Sequence, residues 1–223
     1  MTGAAGSTHV SPAQAWADML AGNKRFVDGA PAHPRQDVER RNDLVVAQNP
    51  GAALFGCSDS RLSAEIIFDK GLGDLFVVRN AGQIISESVV ASLEYAVAVL
   101  EVPLIIVLGH DNCGAVNGAI NMLGPDATEL PPHISNLVAR ITPAIRRVAG
   151  AAGQFAPDGT LNPADVDALA VGREHLRDTI AEVLESSELI GSAIADGNLA
   201  IVGANYRLDQ GVVTPDVVIG VIE

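Results

Sequence analysis

Two short motifs, each directly after a run of apolar residues, constrain what this chain can fold into. The first spans Cys57 to Arg61 (Cys-Ser-Asp-Ser-Arg) and follows the run 52–56. The second spans His110 to Cys113 (His-Asp-Asn-Cys) and follows the run 104–108. Short apolar runs bounded by turn residues predict strands that are buried on both faces, as in a parallel sheet. If these strands are neighbours, both motifs lie at carboxyl ends of strands, where open α/β sheets place their ligand sites.

This arrangement brings two thiols and one imidazole to one edge of the sheet. Cys57, His110 and Cys113 form a three-ligand set for Zn²⁺. Three protein ligands leave the fourth position for water or substrate, which is the arrangement of catalytic zinc, whereas a structural zinc site uses a fourth protein ligand. The spacing therefore predicts a catalytic zinc site.

Other interpretations of the two cysteines compete with a metal site. Two buried thiols beside a core histidine are common in proteins, but the residues that flank these cysteines favour the metal. A disulfide is disfavoured because these are the only two cysteines and the N-terminus shows no secretory signal. A cysteine phosphatase loop is disfavoured because Arg61 follows Cys57 too closely.

Composition bounds the class of protein. A chain of 223 residues, 48% hydrophobic and 18% charged, can build one sizeable core. We expect a disordered lead-in over 1–10 and a single domain over 11–223. The formal net charge of −13 argues against nucleic acid as a partner and offers no polybasic membrane anchor. No basic segment precedes an apolar stretch at the N-terminus and no apolar run is long enough to span a bilayer, so we expect a cytoplasmic protein with no membrane partner.

The apolar pattern predicts an α/β fold with a central, mostly parallel sheet of four strands plus an edge strand, flanked by helices. The predicted strands are 52–56, 75–79, 104–108, 199–203 and the edge strand 217–222. A capping box from Ser11 to Gln14, with Pro12 at the first helical position, predicts an N-terminal helical arm. The other predicted helices are 43–48, 64–68, one from Ser86, one from Gly114, 134–148 with a kink at Pro143, and one capped by Asn162 and Pro163.

The two motifs resemble those of the β-class carbonic anhydrases, of bacterial type. The family pattern Cys-x-Asp-x-Arg followed by His-x-x-Cys is complete here as Cys57, Asp59, Arg61, His110 and Cys113. Stretches 76–82, 92–96 and 109–116 match as well, and the resemblance extends from about Trp16 to near the C-terminus. It implies a lyase that hydrates carbon dioxide reversibly to bicarbonate and a proton through a zinc-bound hydroxide. It also implies self-association as a dimer or tetramer.

The resemblance assigns roles to further residues. Asp59 accepts a hydrogen bond from the hydroxide, and Arg61 holds its carboxylate through a bidentate pair. Gln48 stands where the family has a glutamine that lines the substrate pocket, although a surface amide is the alternative. The helix that begins at Gly114 would turn its N-terminal amides toward the metal, where they could hold an anion. His175 is expected to be structural or exposed rather than a ligand.

A closed state of the metal site is also expected. Asp59 is close enough in sequence to Cys57 to reach the metal as an alternative fourth ligand, and Arg61 competes for the same carboxylate. We expect an active, open site at alkaline pH and a closed site at acidic pH. Two thiolate ligands cancel the formal charge of the metal, so the bound water should be less acidic than in a three-histidine site.

Two other functions remain open at this stage. The same fold supports hydrolysis of CS₂ or COS, and a catalytically silent zinc protein or interaction module would lack the Asp59–Arg61 pair, which is present here. A non-catalytic bicarbonate pocket in some family members uses a Trp-Arg-Tyr set. Here Arg79 and Tyr206 fill two of these positions, but Leu54 replaces the tryptophan. We therefore expect that pocket to be weak or absent.

Overall fold

The structure is a computed structural model, and it describes residues 10–222. This part of the chain forms one five-stranded sheet in the order β2-β1-β3-β4-β5. The four strands from β2 to β4 are parallel, and β5 pairs antiparallel with β4 at the edge. The predicted fold class, a mostly parallel sheet with an additional edge strand, is confirmed. The strands are β1 (Ala52–Cys57), β2 (Leu75–Asn80), β3 (Leu104–His110), β4 (Ala200–Tyr206) and β5 (Val213–Ile219).

Helices cover both faces of this sheet. Single 3₁₀ turns lie at Ala81–Gln83 and Pro163–Asp165. The α-helices are α1 (Pro12–Val27), α2 (Val38–Asp43), α3 (Ala64–Ile67), α4 (Glu87–Ala98), α5 (Gly114–Asn121), α6 (Pro132–Ala139), α7 (Thr142–Ala151), α8 (Ala168–Ser186) and α9 (Glu188–Ala195). None of the helices within residues 10–222 has the length and apolar character needed to cross a membrane.

The three central strands are buried along their whole length, as the apolar runs predict. Every residue of β1, β3 and β4 is buried. On one face, Leu54 and Ile106 pack with Trp16 of α1. On the other face, Phe55 and Ile105 pack against side chains of α4 and α8. Alternation of side chains between two covered faces explains why these strands contain continuous apolar runs.

Parallel pairing in register aligns the two motif-bearing strands. Gly56 of β1 is paired with Leu108 of β3, so Cys57 and His110 follow at neighbouring strand ends. In the edge strand β2, most residues are only half-buried, because its outer side has no neighbour among the described residues. The sheet therefore places both motifs at one carboxyl edge, as the sequence predicts.

The N-terminal region departs from the sequence-based prediction at one helix. The predicted helix over 43–48 is wrong: α2 ends at Asp43, and 44–48 form a turn and a loop. The helix begins earlier because the side chain of Asp37 accepts a hydrogen bond from Arg40 N at 2.7 Å, which satisfies an amide of the first turn. The predicted lead-in over 1–10 lies outside the described residues except for Val10.

Three helical boundaries in the second half also differ. The predicted kinked helix over 134–148 is two helices, α6 and α7, and Pro143 lies in the first turn of α7, where a missing N–H costs nothing. Asn162 caps only the 3₁₀ turn, whereas Asp167 caps α8 by accepting from Leu169 N and Ala170 N. Helix α9, capped by Ser187, was not predicted.

Candidate metal centre

Three potential metal ligands meet at the carboxyl ends of β1 and β3. Cys57 is the last residue of β1, His110 is the last residue of β3, and Cys113 directly precedes α5. The ligand atoms of these three residues all lie within 4.8 Å of one another, and all three residues are buried. The sheet thus brings together the set that the sequence predicts.

His110 shows which of its ring nitrogens is available to a metal. Its Nδ1 lies 2.8 Å from the carbonyl oxygen of Asp111. Because a carbonyl only accepts hydrogen bonds, Nδ1 carries the proton and Nε2 has a free lone pair. Nε2 is buried and has no hydrogen-bond partner among the described residues. A buried lone pair without a partner is costly in a protein, unless it binds an ion.

The two sulfur atoms are arranged to share negative charge. Contact with the Cys113 thiol, together with His110 and the backbone amide of Gly82, lowers the pKa of Cys57 to about 4. The same contact raises the pKa of Cys113, because a second thiolate beside the first is disfavoured. Two thiolates side by side need a cation between them. Two sulfurs and one imidazole nitrogen are the donors that Zn²⁺ prefers, so the residues present fit this metal.

Asp59 and Arg61 form a bidentate pair beside the three ligands. Arg61 Nε donates to Asp59 Oδ1 at 2.9 Å, and Arg61 Nη2 donates to Oδ2 at 2.7 Å. Arg61 Nη2 also donates to the carbonyl of Asn112 at 3.2 Å, which links the two motifs. The hydrogen bond from Arg61 is the main cause that lowers the pKa of Asp59, so this carboxylate is ionised. The structure pairs it with Arg61 and does not bring it into the Cys-His-Cys group.

Comparison with known proteins identifies the family. A family model described as carbonic anhydrase matches residues 52–213, which include both motifs. The chain belongs to the β-class carbonic anhydrase family. It is therefore an enzyme of the lyase class, and reversible hydration of carbon dioxide is the activity of this family.

The similarity to individual family members covers most of the chain. Carbonic anhydrase 2 of Mycobacterium tuberculosis is 44% identical over 206 residues, which cover 91% of this chain and 92% of the relative. A carbonic anhydrase of Mycolicibacterium smegmatis is 45% identical over 204 residues, which cover 90% of this chain and 91% of the relative. The solved structure of the β-carbonic anhydrase CcaA is 27% identical to this chain, with a TM-score of 0.65. The match covers 90% of this chain and 94% of the CcaA chain.

Arg79 supports the first motif of this carbonic anhydrase from the neighbouring strand β2. Its Nε donates to the carbonyl of Cys57 at 3.0 Å, and its Nη2 donates to the carbonyl of Asp59 at 2.7 Å. The family resemblance assigned Arg79 to one position of a bicarbonate pocket that is expected to be weak or absent, and sequence reasoning missed this contact. The register of the parallel pair, in which Arg79 is paired with Gly56, is the signal that could have found it.

Gly114 and Gln48, the two predicted substrate-binding residues, are both exposed but lie in different elements. Gly114 is the first residue of α5 and is exposed, and a methyl group built there would meet no atom within 4 Å. Gln48 is exposed in the loop before β1, and its side chain forms no hydrogen bond to the described part of the chain. The structure therefore leaves open space beside Gly114, while Gln48 stays a prediction.

His175 is buried rather than exposed, and it does not belong to the group of three potential ligands. Its Nε2 lies 2.8 Å from the carbonyl oxygen of Gly82, whose amide contacts Cys57. Sequence reasoning placed His175 on a helix but could not link it to the metal ligands, because the contact joins residues 93 positions apart.

Proposed function

We propose that this protein is a zinc enzyme that hydrates carbon dioxide reversibly to bicarbonate and a proton. The observation that carries the proposal is the group of three buried ligands, in which His110 Nε2 has no hydrogen-bond partner within residues 10–222. Cys57, His110 and Cys113 would hold the ion. Zinc bound there would lower the pKa of a water ligand and thereby supply the nucleophile at neutral pH.

The roles of Asp59 and Arg61 follow from their contacts. The ionised Asp59 carboxylate would accept a hydrogen bond from the nucleophile and so orient its lone pair toward the carbon of carbon dioxide. Arg61 holds both carboxylate oxygens, so the carboxylate has a fixed direction. A catalytically silent zinc protein would not need this pair.

The substrate contacts that we propose are Gly114 and Gln48. Gly114 is supported by the open space beside it and by the amides at the start of α5, which suit an anionic product. Gln48 is supported by the resemblance to the family alone. Replacement of Gln48 by alanine should raise KM for carbon dioxide without changing the zinc content, and an unchanged KM would remove it from the site.

We propose that the active form is a dimer or a tetramer. The outer edge of β2 is unpaired within residues 10–222, and a group of exposed apolar side chains lies in the α2 to β2 region. These are Val38, Val45, Val46 and Leu72. A solved structure of Sordaria macrospora β-carbonic anhydrases, 24% identical to this chain, is described as tetrameric. Light scattering of the purified protein tests the proposal, and a monomer at micromolar concentration would contradict it.

Two further proposals concern the setting of the enzyme. We propose that 11–223 form one domain, since the helices on both faces share a single sheet, and limited proteolysis tests this.

We propose a cytoplasmic location, because two cysteines that serve as ligands must stay reduced. Cell fractionation tests the location.

The decisive experiment measures carbon dioxide hydration by stopped flow before and after treatment with a chelator. We expect activity in the metal-loaded protein, loss on chelation and recovery when Zn²⁺ is added back. Substoichiometric zinc would overturn the metal assignment. Full zinc content without hydration of carbon dioxide would overturn the catalytic assignment, and CS₂ and COS would then be tested as substrates.

A further inference from the structure

A buried histidine in α8 has one hydrogen-bonded ring nitrogen and one that has no partner among the described residues. His175 is only 6% exposed. Its Nε2 lies 2.8 Å from the carbonyl oxygen of Gly82, so Nε2 carries the proton and donates it. Its Nδ1 is buried and finds no hydrogen-bond partner within residues 10–222. Burial lowers the pKa of His175, so the ring is neutral and in one tautomer.

The partner of His175 is the residue whose amide contacts a metal ligand. Gly82 N donates to Cys57 Sγ at 3.4 Å, while the carbonyl of the same residue accepts from His175. Gly82 has a φ of 74°, and a methyl group built on it would lie 2.7 Å from Cβ of Ala115 in the first turn of α5. The turn is therefore closely confined between Cys57, α5 and α8.

We propose that His175 is a positioning residue for the metal centre, which holds Gly82 so that its amide donates to the sulfur of Cys57. Such a hydrogen bond withdraws electron density from the thiolate and fixes the direction of its lone pairs. Residues that orient metal ligands from outside the coordination sphere affect both metal affinity and metal electronics. The proposal rests on the proposed function in that it requires Cys57 to be a ligand.

A purely structural role for His175 does not account for its chemistry. The neighbouring residues Leu176 and Ile180 of α8 are apolar and pack on the sheet, whereas Thr179, one turn after His175, is a buried polar residue. An apolar residue at 175 would also pack there and would leave no unpaired ring nitrogen, which costs free energy when buried. Among the described residues, the hydrogen bond to Gly82 is the contact of this side chain that requires a polar ring. Thr179 reaches the same turn only weakly, with Oγ1 at 3.5 Å from the carbonyl of Gln83.

Three variants separate positioning from packing. His175→Leu removes the donor and keeps an apolar side chain, whereas His175→Gln can still donate from its amide nitrogen to Gly82. Val183→Ala is the matched control, since Val183 is buried in the same helix about two turns further along and packs on the sheet away from Gly82. The control lowers stability without touching the metal centre.

The measurements are zinc release to a chromophoric chelator and the sulfur-to-cobalt charge-transfer absorption of the Co²⁺-substituted protein. We expect His175→Leu to release zinc about tenfold faster or more. Its charge-transfer band should shift to longer wavelength, because the sulfur is more electron-rich. His175→Gln should restore both toward the native values, and Val183→Ala should lower the melting temperature alone. A native release rate and a native band in His175→Leu would overturn the proposal.

A measurement on the unmodified chain covers the case in which His175→Leu does not fold. In ¹¹³Cd-substituted protein, scalar coupling between the amide proton of Gly82 and the metal, transmitted through Cys57 Sγ, is expected. The ¹⁵N shifts of His175 should show the proton on Nε2. Absence of the coupling, or a proton on Nδ1, would overturn the positioning role while leaving the metal site intact. A chain that binds no metal at all would instead refute the proposed function.

Discussion

The loops that follow β1 and β3, beside the three proposed metal ligands, are held in different ways. Two arginine side chains hold the loop after β1: Arg79 of β2 donates to the carbonyls of Cys57 and Asp59, and Arg61, within the loop, holds the Asp59 carboxylate. Both arginines are exposed at the protein surface. The loop thus depends on side chains that a single substitution can remove.

The loop after β3 depends mainly on the backbone around it. Asp111 N donates to the carbonyl of Tyr206 at 3.3 Å, and Asp111 Oδ1 accepts from Leu208 N at 2.9 Å. Cys113 immediately precedes α5; contact with Cys57 raises its pKa, and the first amides of the helix oppose that rise. The first loop also has a backbone hydrogen bond to its neighbouring strand, in which Ser58 N donates to the carbonyl of Asn80 at 2.8 Å. The two loops therefore differ in the additional close hydrogen bonds from Arg61 and Arg79 that hold the first one.

The largest expected effect is the loss of zinc when either proposed cysteine ligand is replaced. Cys57→Ser and Cys113→Ser should each lose most of the zinc, which in the native protein should amount to about one ion per chain. Metal analysis by mass spectrometry measures this. Ser58→Ala, next to the first ligand, is the control and should keep its zinc. Full zinc occupancy in both cysteine variants would show that the site is elsewhere.

The next effect distinguishes the first loop from the second, because only the first contains the Asp59–Arg61 pair. Asp59→Asn should lower the rate of carbon dioxide hydration by about a hundredfold while the zinc is retained. This is the lower end of the range expected when a general acid–base group is removed. Asp209→Asn, at an exposed position, is the control. A rate within twofold of the native value would remove Asp59 from the chemistry.

Arg61→Ala tests the closed state. Without Arg61, we expect the Asp59 carboxylate to bind the metal as a fourth ligand, so the variant should be inactive even at alkaline pH. X-ray absorption at the zinc edge should then show a carboxylate oxygen in the first shell, which Asp59→Asn would lack. Identical spectra for native protein and Arg61→Ala would argue against a closed state.

A moderate difference in stability is expected between variants that remove an arginine contact from each loop. Arg79→Met removes two hydrogen bonds from a charged donor and should lower the free energy of unfolding by about 1–2 kcal/mol, discounted because Arg79 is exposed. Arg207→Met removes a looser pair, in which Nε lies 3.4 Å from Asp111 Oδ2, and should cost at most about 0.5 kcal/mol. Urea unfolding measures both. Equal losses would mean that the two loops are held alike.

The smallest effect concerns bicarbonate. Arg79 already donates to two carbonyls, Tyr206 is buried, and the tryptophan position is occupied by Leu54, which is buried in the core. We therefore expect hyperbolic kinetics in bicarbonate. Strong cooperativity, measured as a sigmoidal rate curve for dehydration, would show that a second bicarbonate site forms despite these contacts.

The sheet and the ligands were predictable because the relevant signals are local. A strand that is buried on both faces needs a continuous apolar run, and the residue that follows it lies at the carboxyl edge. The runs before Cys57 and His110 therefore identified both the strands and the site. The class of fold and the three proposed ligands required no knowledge of long-range contacts.

The errors arose where capping or tertiary contacts decide the structure. Side-chain caps at Asp37 and Asp167 moved the starts of α2 and α8, because a cap satisfies free amides wherever the chain turns. Pro143 begins a helix instead of bending one. The supports of the metal centre, Arg79 and His175, come from other strands and helices, so their roles depend on register and packing rather than on a motif.

The strand order also has a consequence for synthesis on the ribosome. β3 lies between β1 and β4, and β4 begins 90 residues after β3 ends (200 minus 110). Until β4 has been made, β3 has a free edge, although all seven of its residues are buried in the finished sheet. Open edges of this kind pair readily with other nascent chains. Slow translation of 111–199 would therefore prolong the interval in which a growing chain is most prone to aggregate.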